Sequence, residues 1–113
     1  GYIDDDDLPN LYSNAIALTY TPFYEGFGLP PLEAMSCGTP VITSNTTSMP
    51  EVVGSAAIKI DPLGVHECAE AILGVINNKN LRKKMSIDGL KRSSLFNWQD
   101  TANKTLEILQ KAL

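Results

Sequence analysis

The hydrophobic positions change their period part-way along the chain, and that change divides it. Between residues 15 and 60 they fall in short runs: Ala15-Ile16-Ala17-Leu18-Thr19-Tyr20, Pro40-Val41-Ile42-Thr43 and Ala56-Ala57-Ile58-Lys59-Ile60. Short runs that are apolar on nearly every position, with β-branched residues in them, predict parallel strands buried on both faces. From Val65 the spacing becomes helical. Val65, Ala69, Ile72, Leu73 and Ile76 make one stripe and predict a helix over 65–77. Asn80 can cap a second helix running to about Leu90, with Gly89 its weak point. A last helix is expected to start at Gln99 or Asp100 and to carry Ala102, Leu106, Leu109 and Leu113. Ahead of the first run, Gly1 to Ile3 reads as a strand stub and Leu8 to Asn14 as a short helix. The acidic run Asp4 to Asp7 stands where capping and the helix dipole favour carboxylates. Pro30 to Cys37 reads as a further helix, and Pro50 to Val53 as a helical turn stopped by Gly54. Strands alternating with helices predict an α/β domain with a parallel sheet over 1–62 and C-terminal helices over 63–113.

Length and charge narrow the partners. A chain of 113 residues is one domain at most. A net charge of −4 argues against nucleic acid or an anionic membrane as the main partner. The local basic cluster, Arg82-Lys83-Lys84 with Lys91-Arg92, reads as a solvated helix face. Cys37 and Cys68 have no metal-like spacing and read as reduced thiols, which leads us to expect a cytoplasmic protein. His66 reads as a surface or capping residue. No apolar run of membrane length and no secretory leader pattern occurs within these residues.

The densest chemistry lies in Glu25-Gly26-Phe27-Gly28-Leu29-Pro30-Pro31-Leu32-Glu33, followed by Ala34-Met35-Ser36-Cys37-Gly38. Gly26 and Gly28 allow positive φ and leave the main chain open to a ligand. Pro30 and Pro31 suit a first helical turn, where their missing N–H groups would be orphans anyway. A helix starting there aims N–H groups and a positive dipole end at what precedes it, which favours phosphate. The flanking carboxylates, Glu25 and Glu33, repel phosphate and suit sugar hydroxyls, whose hydrogen bonds they accept. Phosphate between hydroxyl-rich neighbours describes a nucleotide sugar.

The string EGFGLPPLEAMSCGTPVI resembles the donor-site signature of retaining GT-B glycosyltransferases of the group 1 type. That group includes sucrose synthases, bacterial glycogen synthases and many lipopolysaccharide and capsule mannosyltransferases. The match continues through Ser44-Asn45-Thr46-Thr47-Ser48-Met49-Pro50-Glu51-Val52-Val53-Gly54; upstream, Gly1-Tyr2-Ile3-Asp4 and Leu8-Pro9-Asn10-Leu11-Tyr12 also fit. The resemblance implies a three-layer, Rossmann-like parallel sheet, the later half of the C-terminal, donor-binding lobe, with a helical tail. It implies that Glu25, the catalytic-site carboxylate, accepts a hydrogen bond from a donor-sugar hydroxyl. It likewise implies that the N–H groups of Gly26, Phe27, Gly28 and Leu29 face sugar and diphosphate, and that Glu33 accepts the ribose hydroxyls. Tyr2 and Ile3 would lie near the nucleobase. Thr46, Thr47 and Ser48 would either offer hydroxyls to the donor or cap the following turn, the second being the stronger expectation. No metal and no cofactor are implied, the nucleotide-diphosphate sugar being a substrate.

The implied function is transfer of a hexose, with mannose a candidate, to a glycan or lipid-linked acceptor. The family's Arg/Lys pair for the diphosphate and its acceptor-binding lobe have no counterpart in these residues. An excised fragment or truncated reading frame is therefore expected, inactive by itself and partnered by the missing N-terminal lobe of a parent that could work at the cytoplasmic face of a membrane. Trp98 and the leucines of the last helix would be under-buried, and an exposed sheet edge would promote homo-oligomers. Two rivals remain open at this point: a non-catalytic module that completes a split or oligomeric enzyme, and a phosphate-binding α/β domain of unrelated function.

Overall fold

The computed structural model describes residues 3–23 and 28–112. Its centre is one strand. Val41–Ser44 (β2) is buried at every position, flanked in parallel by Leu18–Tyr20 (β1) and Ile58–Ile60 (β3), in the order β1-β2-β3. Leu18 pairs with Val41 and Tyr20 with Thr43 on one side; Ile42 pairs with Ile58 and Ser44 with Ile60 on the other. Successive side chains of β2 point to opposite faces, so each face needs its own cover.

Val41 packs with Ala34 and Met35 of α2 (Leu29–Ser36), Val52 and Val53 of α3 (Met49–Val53), and Ala56. Tyr12 of α1 (Leu8–Asn14) borders that cluster. Ile42 packs with Ile60, with Val75 of α4 (Val65–Asn77) and with Met85 of α5 (Lys79–Ser93). The result is the expected three-layer α/β arrangement. The final helix, α6 (Trp98–Ala112), leaves Leu106, Ile108 and Leu109 more than half exposed, as expected for the leucines. The Trp98 side chain and Leu113 lie outside the described residues.

Helix α5 joins the two halves of the core. Leu81 and Met85 pack in the Ile42 cluster, while Gly89 lies against Met35 in the other. A Cβ on Gly89 would stand 3.3 Å from Met35 Cγ, so this glycine sets how closely α5 approaches α2. Arg82 donates to the last carbonyls of α4, Val75 O at 2.8 Å and Ile76 O at 2.5 Å. Arg92 donates to Val52 O at 2.9 Å and to Glu51 O, closing the C-terminal end of α3. Cations at helix C-termini satisfy orphan carbonyls and complement the dipole.

Several expectations need correction. The first strand is three residues rather than six, and it is half-buried; Ile16 is 55% exposed. Its position at the edge of the described sheet is the reason, since among the described residues only β2 has a neighbour on both sides. The third strand likewise begins at Ile58, although Ala56 still joins the core. Ile3 is in no strand, and Gly1 and Tyr2 lie outside the described residues. The inward face of α4 is Cys68, Ala71, Ile72 and Val75, one step round from the expected stripe; Val65 is 82% exposed. The cap of α5 is Asn78, whose side chain accepts from Leu81 N at 3.0 Å, not Asn80. Asp7 and Ser48 occupy N-cap positions but make no side-chain cap bond; Asp4 to Asp7 instead close a turn through Asp7 N to Asp4 O at 2.9 Å. The basic cluster is only partly a solvated face, because Arg82 and Arg92 serve as the helix-end donors just described. His66 is a surface residue as expected, 3.0 Å from Glu70 one turn on.

Two glycines in helices separate packing from propensity. Gly74 has no atom within 4 Å of a notional Cβ, whereas Gly89 faces Met35. Gly74→Ala should raise unfolding free energy by about 0.5–1 kcal/mol through helix propensity alone. Gly89→Leu should lower it by about 1–3 kcal/mol by forcing α5 away from α2. Urea denaturation of both variants beside the parent chain measures the two signs.

Candidate functional site

In a parallel sheet the carboxyl ends of the strands share one rim, and loops there are free of the ladder. β1 ends at Tyr20 and β2 at Ser44, so the segment leading into α2 and the segment 45–48 both leave from this rim. Glu25, Gly26 and Phe27 lie outside the described residues; Gly28, Leu29 and Glu33 lie within them.

Gly28 is the N-cap of α2, with φ at +87°, in the left-handed region. The conformation favours glycine, and a Cβ there would also displace the Met49 side-chain end, whose Cε lies 2.3 Å away. The close neighbour is the first residue of α3, which brings the two loops of the rim together. Pro30 and Pro31 have no N–H, and the Leu32 N–H returns to Gly28 O at 3.3 Å. The N–H groups of Gly28 and Leu29 are therefore what this helix end offers an anion. Leu29 is 43% exposed at that end.

The 45–48 segment carries strain and two orphans. Thr47 has φ at +55°, which a β-branched residue adopts at a cost of roughly 1–2 kcal/mol. Ser44 Oγ and Thr46 Oγ1 are buried without a hydrogen-bond partner among the described residues. A buried hydroxyl left unpaired costs about 1–3 kcal/mol. The capping role expected for Thr46, Thr47 and Ser48 is not met by a side-chain cap bond on α3.

Glu33 stands in the second turn of α2, beyond the reach of a simple first-turn dipole explanation. Its carboxylate is exposed and faces α1. The Tyr12 hydroxyl donates to Glu33 Oε2 at 3.2 Å, and the pair sits in a cleft of about 280 Å³ lined by Asp5, Leu8, Pro9, Tyr12, Glu33, Ser36 and Cys37. Tyr12 is anchored from behind: its carbonyl accepts from Thr39 Oγ1 at 2.6 Å and from Ala15 N at 3.1 Å. Sequence reasoning singled out Glu33 but missed Tyr12, whose partner is 21 residues away and leaves no local signature.

Arg92 and Lys59 both donate to main-chain carbonyls around the end of α3, Lys59 to Gly54 O. Among the described residues no group of three or more His, Cys, Asp or Glu could hold a metal ion. No helix among them is long and apolar enough to cross a membrane.

Burial, the Glu33 charge and the hydrogen bond to it together hold the Tyr12 phenol above its ordinary pKa of 10.0. A raised folded-state pKa gives a stability contribution that is fully present below about pH 10 and lost as the pH rises through the folded value. Glu33→Gln should bring the Tyr12 titration down towards the ordinary value. Phenol absorbance or Tyr12 Cζ chemical shift against pH measures it; an unchanged midpoint would exclude the contact.

Residues 1–92 match the model of the glycosyl transferases group 1 family. O-antigen chain mannosyltransferase B of Escherichia coli is 45% identical over 94% of this chain, which spans 28% of that protein. The serotype-specific mannosyltransferase WbdA of Escherichia coli is 35% identical over the whole chain, which spans 14% of it. The structure of sucrose-phosphate synthase from Thermosynechococcus elongatus superposes on 99% of the chain with a TM-score of 0.84 and 28% identity, the chain covering 29% of it. The three-layer sheet is thus the Rossmann-like arrangement of a GT-B C-terminal lobe, and the chain belongs to the glycosyl transferases group 1 family.

Proposed function

We propose that these residues form the donor-binding portion of a retaining glycosyltransferase, which moves a hexose from a nucleotide-diphosphate sugar to a glycan or lipid-linked acceptor. Mannose is the favoured sugar, because the relatives named above include mannosyltransferases. The observation that carries the reading is the placement of Glu33: an exposed carboxylate in a cleft, one turn from the N-terminal end of α2. A carboxylate accepts two hydroxyls at once, while the neutral N–H groups beside it suit phosphate. On this reading Glu33 takes the ribose diol, Gly28 and Leu29 with Gly26 and Phe27 face the diphosphate and sugar, and Glu25 accepts from a sugar hydroxyl. The donor is a substrate, and neither a metal nor a separate cofactor is required.

Diphosphate departure needs charge stabilisation that neutral N–H groups supply only in part. With Arg92 and Lys59 bonded to main-chain carbonyls, the chain by itself is proposed to bind donor weakly and to transfer sugar slowly or not at all. A second reading, a non-catalytic module that completes a split or oligomeric enzyme, draws its support from the exposed apolar side chains of α6, Leu106, Ile108 and Leu109.

Two measurements test these readings. In ligand-observed NMR with UDP, GDP, ADP and their hexose conjugates, one base series should saturate, and Glu33→Ala should weaken it about tenfold or more, as loss of hydrogen bonds to a charged acceptor implies. Equal binding by parent and variant would remove the ribose role. In sedimentation velocity at tens of micromolar, the β1 edge, unpaired among the described residues, and the apolar face of α6 should produce self-association. A strictly monomeric profile would count against the second reading.

A further inference from the structure

We propose that Tyr12 is a positioning residue for Glu33, holding one carboxylate oxygen so that the other is presented to the vicinal hydroxyls of a ribonucleotide. The inference rests on the donor-site reading and deepens it.

Glu33 is exposed on the outer side of α2, and an exposed glutamate ordinarily samples many rotamers. Here the phenol of Tyr12 binds Oε2 from the neighbouring helix, which leaves Oε1 open to the cleft. The phenol is itself well held. Its ring borders the core cluster that contains Ala34 and Met35, and its carbonyl is tied by Thr39, a residue only 3% exposed at the junction of α2 and β2. The chain Thr39–Tyr12–Glu33 therefore ties an exposed acceptor to the buried frame through one aromatic side chain. Ordering such a carboxylate before the ligand arrives removes rotamer entropy from the binding step. A hydrogen bond made solely to hold α1 on α2 would serve stability and leave ligand selectivity untouched. The two roles make different predictions.

The test uses the whole chain, with Tyr12→Phe, Glu33→Ala and the double variant, titrated calorimetrically with UDP, GDP and ADP and with the 2′,3′-dideoxy form of whichever binds. The expected result is that Tyr12→Phe, which keeps the ring, weakens the ribonucleotide by about fivefold, as for one hydrogen bond's worth of preorganisation. It should leave the dideoxy form unchanged and add nothing in the Glu33→Ala background. Side-chain carbon NMR of the ligand-free chain gives an independent readout: the Glu33 rotamer, fixed in the parent, should average in Tyr12→Phe. Unchanged ribonucleotide affinity in Tyr12→Phe, with loss in Glu33→Ala, would overturn the positioning role and leave the donor reading intact. Affinity indifferent to both variants would remove the ribose role of Glu33 and overturn the inference with it. Where no nucleotide binds, an unaltered Glu33 rotamer in Tyr12→Phe would still overturn the positioning role, and a freed rotamer would support it.

Discussion

A strand with no exposed face, Val41 to Ser44, imposes the architecture. Val41 and Ile42 project to opposite sides, so helices must cover both, and neither side can be left to water. Parallel pairing with β1 and β3 then requires crossover connections, which send α2 and α3 across the Val41 side. The carboxyl ends of β1 and β2 come out on a common rim, and the loop chemistry follows from that placement. Helix α5 secures it from elsewhere: Met85 packs in one cluster, Gly89 in contact with Met35 meets the other, and Arg92 closes α3. Displacing α5 would loosen α2, and with α2 the residue at its N-cap.

The parts of this fold that were legible were those set by local rules. Helices α1 and α4 have the bounds that turn signals and periodicity predict. The location of all three strands could be read as well, but not their depth. Whether an apolar run is central or at an edge depends on what pairs with it, and among the described residues β1 pairs on one side only. The α4 face illustrates a second limit. Cys68, Ala71 and Val75 are small, and a count of large apolar residues favours Leu73 and Ile76 instead, which the fold leaves about half exposed. Small residues let a helix approach its neighbours closely, a packing requirement that hydrophobicity alone does not express.

The candidate site divides along the same line. A glycine at 28 was legible from the turn that precedes a helix, yet its reason is partly different: besides its left-handed φ, the space is taken by Met49. Glu33 could be picked out by residue type and spacing. Its hydrogen bond from Tyr12 could not, since α1 meets α2 only in the folded chain. The same holds for Arg82 and Arg92, which looked like a charged surface and prove to be tied to the ends of α4 and α3. Long-range contacts reassign side chains that composition treats as interchangeable.

That reassignment bears on how such a site would discriminate. Arg92 and Lys59 are bonded to carbonyls around the end of α3, and the Glu33 carboxylate accepts from Tyr12. A cationic site attracts any polyanion, and its affinity declines with salt. A rim of N–H groups, buried hydroxyls at Ser44 and Thr46, and a held carboxylate selects by geometry instead. Under the proposed donor role, Glu33 repels a bare phosphate and favours a phosphate carrying a diol at the right distance. On the proposed reading, these residues therefore contribute selectivity for a nucleotide over other anions more than they contribute raw attraction, and the positive charge that stabilises a departing diphosphate is a separate requirement from the recognition encoded here.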